Sequence, residues 1–190
     1  MKCPLVILLI AVISNAEYTF FSDHNGVGIR NEDGEICLLL SFGVDILNEN
    51  LGDDAVREPL SLADAVLSGK CASNEDKTAQ LKAKFTHVNR TRTLRFDFDQ
   101  ASVLVDRYEQ LRWVMNRVSY SEAYAGQRVV FSTSNGSQTL SGPLKQKFTC
   151  RDTINATLSS ENYEPVQLFF TAPIEAQPYG ISSNSEGGLY

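Results

Sequence analysis

At 190 residues and 21.0 kDa the chain has the length of a single domain, and 17 Lys and Arg against 23 Asp and Glu give it a formal net charge of −6. With 43% hydrophobic and 21% charged residues it falls outside the disordered and collagen-like classes. A sequence pI of ≈ 4.9 argues against nucleic acid, since phosphate binding needs a basic face, and four Cys are too sparse for a disulfide-dense mini-scaffold.

Met1-Lys2 supplies a short basic start, residues 4–13 are almost purely apolar, and Ser14-Asn15-Ala16 matches a small-x-small cleavage site. This layout predicts a secretory signal peptide over residues 1–16, cut after Ala16, with Cys3 leaving in it. A membrane anchor needs about 20 apolar residues, nearly twice this run. No second run is long enough, so the chain as written is expected to be lumenal or secreted and to carry no anchor of its own.

Along the rest of the chain, turn signals and period-2 alternation dominate. Asp23-His24-Asn25-Gly26 has turn composition, and Asn31-Glu32-Asp33-Gly34 ends in a hairpin-type dipeptide. Residues 36–42 read as a buried strand carrying Cys37. Residues 58–66 read either as a helix or as an extended segment leading into Gly69-Lys70-Cys71. Leu81, Ala83 and Phe85 alternate with Lys82 and Lys84. In residues 93–99, Leu94, Phe96 and Phe98 share one face and Arg95, Asp97 and Asp99 the other. Residues 108–118 carry Leu111, Trp113, Val114 and Val118, which fit either period poorly, and a helix is an option there. A strand around Val129 and Phe131 follows, then Asn135-Gly136 and Ser141-Gly142-Pro143 as turn punctuation, then a buried strand over residues 166–172. Residues 180–190 have little to bury and predict a mobile polar tail. Short strands at this spacing predict an all-β fold, an antiparallel sandwich or prism. No internal repeat is visible.

Three N-glycosylation sequons, at Asn89, Asn135 and Asn155, agree with passage through the secretory pathway. In that oxidising compartment the cysteines are expected to pair where geometry allows. Cys37 and Cys71 are 34 residues apart, and a bridge between them is worth roughly 3–4 kcal/mol on the chain-entropy account. Cys150 is then left over: an intermolecular bond, a free thiol, a missing partner or a buried inert thiol.

Catalytic signals are thin. His24 and His87 are the only histidines and sit in no metal-ligand or nucleophile frame. Gly26-Val27-Gly28 lacks the third glycine and the βαβ setting of a dinucleotide fingerprint. Asp97 and Asp99 read as a solvated strand face, and Asp53-Asp54 is too short for a calcium loop. Cys150 has no neighbouring His to activate it. No enzyme, cofactor or metal is expected.

Several segments in order resemble the lumenal domain of the lysosome-associated membrane glycoprotein (LAMP) family, with single-domain, brain-type members most similar. They are residues 34–42 with the first cysteine, Gly69-Lys70-Cys71 with the second, residues 81–85 and 94–98, residues 113–120, and Lys147-Phe148-Thr149-Cys150 with the third. Residues 166–170 and Ile174-Glu175-Ala176-Gln177-Pro178-Tyr179 are similar to the closing strands. The resemblance covers about residues 25–179. It implies a β-prism lumenal domain over residues 17–179, two disulfides, heavy N-glycosylation, a membrane helix and a tyrosine sorting tail. The chain departs from the pattern after Cys150, where the fourth cysteine, the helix and the tail do not appear. Cys150 is then expected to mark an altered half of the domain, as in a truncated isoform, an incomplete gene model or a secreted relative.

Two functions follow. The first is a non-enzymatic LAMP-like lumenal glycoprotein with a structural or sorting-adaptor role for other membrane or vesicle glycoproteins, in the lysosomal, endosomal or synaptic-vesicle system. The second is a secreted β domain that binds a ligand or receptor as a Cys150-linked dimer.

Overall fold

The computed structural model describes residues 18–23, 26–48, 57–87, 90–134 and 140–180. Thirteen strands run through them: β1 (Thr19–Asp23), β2 (Gly26–Arg30), β3 (Ile36–Leu47), β4 (Arg57–Leu60), β5 (Val66–Lys70), β6 (Ala79–His87), β7 (Arg90–Val105), β8 (Tyr108–Tyr124), β9 (Gln127–Ser132), β10 (Ser141–Pro143), β11 (Phe148–Cys150), β12 (Ile154–Ser160) and β13 (Tyr163–Gln177). A single 3-10 turn, Leu62–Asp64, separates β4 from β5. The sequence expectation of an all-β antiparallel fold holds.

Hydrogen bonding links the strands in the order β1-β2-β3-β13-β12-β9-β8-β7-β6-β5, with β4 on β3, β11 on β13 and β10 on β8. The path divides into two halves that meet at one pair, Ser132 with Ser159. Each half turns its apolar residues toward the other. Leu94, Phe96 and Phe98 on β7 are fully buried, as the alternation predicted, and so are Leu81 and Ala83 on β6. Leu38, Leu40, Val44 and Ile46 of β3 and Val166, Leu168 and Phe170 of β13 face them from the second half. Three rings join the halves: Phe42 lies 5.8 Å from Phe96 and 5.2 Å from Phe170, and Phe96 lies 6.2 Å from Phe170. Edge-on and tilted rings at these separations add to the area they bury.

The hairpins use left-handed backbone where the sequence provides for it. Gly34 (φ 79°) closes the β2–β3 connection, its N–H donating to the Asn31 carbonyl. Ala125 and Gly126 turn β8 into β9, while Asp106 (φ 49°) and Arg107 (φ 73°) turn β7 into β8 without any glycine.

Three stretches differ from the sequence reading. Residues 108–118 are strand, part of β8. Alternation is lost there because β8 bulges at Asn116, where Phe98 pairs with Met115 and Asp97 with Arg117. The bulge keeps Met115 and Val118 on the core face with Trp113, while Val114 is buried on the opposite face and Leu111 is exposed. Residues 58–66 take the extended alternative through β4, the 3-10 turn and the start of β5. Pro59 is tolerated because β4 pairs on one side only, with β3. Ser141-Gly142-Pro143 is strand β10 rather than punctuation. Gly142 is there for closeness: a Cβ would come within 2.8 Å of the Trp113 indole nitrogen.

Candidate functional site

The ends of the strand path approach each other, and the disulfide is the covalent tie across that gap. Cys37 is the second residue of β3, and Cys71 follows β5 immediately. Their Cα atoms are 5.8 Å apart, within the span of about 4.4–6.8 Å that a bridge requires, and the two are bonded. Cys71 is buried in the core cluster and Cys37 packs against it. Beside the bridge, Gly69 on β5 lies close enough to β2 that a Cβ would sit 3.1 Å from the Ile29 methyl. The bridge therefore links the two halves opposite the Ser132–Ser159 contact.

Among the described residues, a cluster of titratable side chains lies at one end of the β7–β8 ladder. Arg92 on β7 pairs directly with Glu122 on β8, and both continue the face that buries Phe96 and Tyr120. Glu122 is 8% exposed. Its carboxylate accepts the Tyr120 hydroxyl at 2.8 Å and is ion-paired with Arg90. Arg92 reaches the other half of the molecule, its Nη2 lying 2.6 Å from Glu58 on β4. Asn48, just beyond β3, donates to Glu122 Oε2 at 3.5 Å. Burial, then the charge of Glu122, push the Tyr120 phenol well above its ordinary value. The cluster plugs the sandwich with paired charges. Two arginines and a tyrosine hydroxyl already engage its carboxylate, so it presents no free acid or base to a substrate.

A groove of about 780 Å³ opens at the seam between β9 and β12, lined by Arg117, Arg128, Ser132, Ser159, Glu161 and Tyr163 among others. β9 and β12 touch at one residue pair and diverge beyond it, so the groove follows from the topology. It is wide open and holds hydroxyls, two guanidinium groups and one carboxylate, but no histidine or cysteine. Among the described residues no group of three or more His, Cys, Asp and Glu is placed to hold a metal ion.

The remaining residues singled out in the sequence are scattered. Asn155 lies on β12 with its side chain exposed, across the ladder from Phe169. Asn89, Asn135, His24 and Asp53-Asp54 lie outside the described residues, as do the predicted signal segment and residues 181–190. His87 is exposed at the end of β6, opposite Arg90. Asp97 accepts hydrogen bonds from Gln80 and Arg95 at 2.8 Å, and Asp99 accepts the Gln100 N–H at 2.7 Å, so the acidic pair is engaged separately. Cys150 ends β11 opposite Ile174, half-buried and unbonded to another cysteine, with its sulfur 3.4 Å from the Asp152 amide that donates to it. Gly26-Val27-Gly28 opens β2, where a Cβ on Gly28 would strike the Leu38 carbonyl and the Phe21 ring. Sequence reasoning missed the Arg90–Arg92–Glu122 cluster, because its members are spread over two strands and nothing local marks their shared face.

No protein-family model matches the chain, and no curated protein matches it. Two solved structures are similar to it over nearly their whole length. One is the membrane-proximal domain of mouse lysosome-associated membrane protein 1, at 14% identity and a TM-score of 0.58, covering 93% of this chain and 96% of that one. The other is the membrane-distal domain of mouse lysosome-associated membrane protein 2, at 14% identity and a TM-score of 0.52, covering 88% and 92%. At this identity the likeness is one of fold: the chain folds as a LAMP-like lumenal domain.

Proposed function

We propose that this chain is a non-enzymatic LAMP-like lumenal glycoprotein that works in the endosomal, lysosomal or synaptic-vesicle system as a structural or sorting partner for other membrane glycoproteins. The supporting observation is the end-to-end match of fold with two LAMP domains, which leaves almost none of the chain to form a separate catalytic unit. The three sequons support a lumenal address, because Asn-linked glycans are added only there. Fractionation of cells expressing the full transcript tests the reading. A glycosylated pool cofractionating with endosomal or lysosomal membranes is the expected result, and a protein confined to the medium with no vesicular pool overturns it.

A second reading rests on Cys150, which is half-exposed and unpaired in the structure. A secreted β domain linked through this thiol as a dimer runs at twice its monomer mass on a non-reducing gel. A monomer whose Cys150 takes up an alkylating reagent removes that reading.

A further inference from the structure

β7 and β8 are longer than the strands beside them. β6 pairs with β7 only as far as Phe98, and β10 pairs with β8 no further out than Arg112. Beyond these points residues 99–105 and 108–111 form a two-stranded arm. Among the described residues, β7 there has β8 on one side and no strand on the other. Three of the most exposed large apolar side chains are on this arm: Leu104 at 70%, Tyr108 at 75% and Leu111 at 57%.

The arm's open edge has an assignable pattern. A two-residue hairpin loop makes its flanking residues, Val105 and Tyr108, a hydrogen-bonded pair. Ala101 and Val103 then also bond toward β8, and Gln100, Ser102 and Leu104 turn their backbone groups outward. The Asp99 carboxylate accepts the Gln100 N–H, leaving Ser102 and Leu104 as open positions. Proteins blunt such edges with Lys, Pro or inward charges. Residues 99–105 contain none of these, and their one charge is Asp99. The arm and its turn carry Asp99, Asp106 and Glu109 against Arg107, and Arg112 at the arm's root brings these charges near balance, in a chain of net charge −6.

We infer that this edge pairs with the same edge of a second copy, giving a non-covalent dimer joined by an antiparallel β7–β7 ladder. A two-fold axis at Val103 sets Ser102 of each copy opposite Leu104 of the other, and these are the residues with unused outward backbone groups. The same register sets Ala101 against Val105, and brings Arg107 at one arm's tip beside Asp99 at the other's base. That charge match selects a second copy and this register. The dimer is independent of Cys150, which lies on β11.

The test is sedimentation equilibrium of the secreted, glycosylated full chain carrying Cys150→Ser, over a wide concentration range. A reversible monomer–dimer equilibrium is expected. Arg107→Asp, in an exposed turn, replaces the Asp99 match with repulsion and is expected to weaken it by about tenfold. Ser102→Pro removes an N–H that β8 does not use and is expected to give monomer. Val103→Cys, in the same background, is expected to form a covalent dimer on mild oxidation, since a non-hydrogen-bonded pair brings Cα atoms to about 4.5 Å. Far-ultraviolet circular dichroism checks that each variant folds. If Ser102→Pro does not, Arg107→Asp and the cross-link decide. A monomer at every concentration, a dimer indifferent to Arg107→Asp, or no Val103→Cys cross-link overturns the proposal. Monomer that floats with phosphatidylcholine vesicles, and stops doing so in Leu104→Ser, also overturns it by assigning the arm to a lipid surface.

Discussion

Phe96→Ala probes the junction on which both halves of the fold depend. The Phe96 ring is fully buried at the centre of β7, and it touches the opposite half through Phe42 and Phe170. Truncation removes the transfer energy of the ring and leaves a cavity that two other aromatic rings cannot close by small shifts. Buried Phe→Ala changes cost about 3–5 kcal/mol. The loss of two ring–ring contacts, at about 0.5–1.5 kcal/mol each, puts this site in the upper part of that range. We expect a loss of about 4 kcal/mol.

Urea unfolding reads it cleanly, because the chain has a single tryptophan, Trp113, which is fully buried in the same core. With a slope of about 2 kcal/mol per molar urea, the midpoint falls by about 2 M. Phe20→Ala, at a ring 39% exposed on β1, serves as the control and is expected to shift the midpoint far less. A Phe96→Ala loss below about 1 kcal/mol would mean that the ring is not shared between the halves, and the account of the core would fail.

Replacing Cys37 and Cys71 together by Ala is expected to cost about 4 kcal/mol by chemical denaturation, from the freed 34-residue separation; non-reducing peptide maps showing both thiols free in the parent would remove the staple. Asn155→Gln is expected to abolish one glycan-dependent mobility step on gels, since Asn155 is exposed on β12; an unchanged ladder after peptide:N-glycosidase would leave that sequon unused. Glu58→Ala removes the cross-half pair with Arg92 and is expected to cost about 1 kcal/mol or less, because Glu58 is itself 44% exposed; Glu122→Ala, which takes away the buried carboxylate that pairs with Arg90 and accepts the Tyr120 hydroxyl, is expected to cost more than Glu58→Ala. Tyr120 and Tyr179 have phenols raised above the ordinary value, chiefly by burial. The folded state therefore holds their protons more tightly, and their contribution to stability is complete below about pH 10 and falls as pH rises beyond it. Absorbance at 295 nm is expected to show delayed ionisation of these two in the native protein, and simultaneous titration of all seven tyrosines would contradict it.

The parts of the fold legible in the sequence are those where a strand buries one face and wets the other. Leu94, Phe96 and Phe98 alternate with Arg95 and Asp97 because β7 lies inside a sheet with only one side covered. Residues 36–42 and 166–172 were legible for a different reason, as short apolar runs that read as buried strands, and they hold Leu38 and Leu40 on β3 and Leu168 and Phe170 on β13. β8 escaped because its bulge at Asn116 resets the alternation midway and its start lies on the exposed arm. β10 escaped because its Ser-Gly-Pro composition is that of a turn, and its glycine answers to the Trp113 ring, a partner 29 positions earlier. The disulfide was legible from cysteine count and compartment, whereas the Arg92–Glu58 tie was not, since neither residue is unusual in its own segment.

The β7–β8 ladder overhangs the opposing half at both ends, and the sequence treats the two ends differently. At one end the core-facing positions are Arg90, Arg92, Tyr120 and Glu122, and Glu58 and Asn48 reach across from the other half to meet them. Those charges are partnered within the chain, so that end is closed and offers nothing to a second molecule. At the other end the same face carries Leu104 and Leu111, and nothing in the described chain lies over them. Leaving two leucines and a tyrosine in water forgoes burial worth about 1.5–3 kcal/mol for each large apolar side chain. A charged pair there would have been as easy to encode as it was at the first end. The contrast on a single pair of strands is the physical reason to look for a partner at the arm and not at the plug.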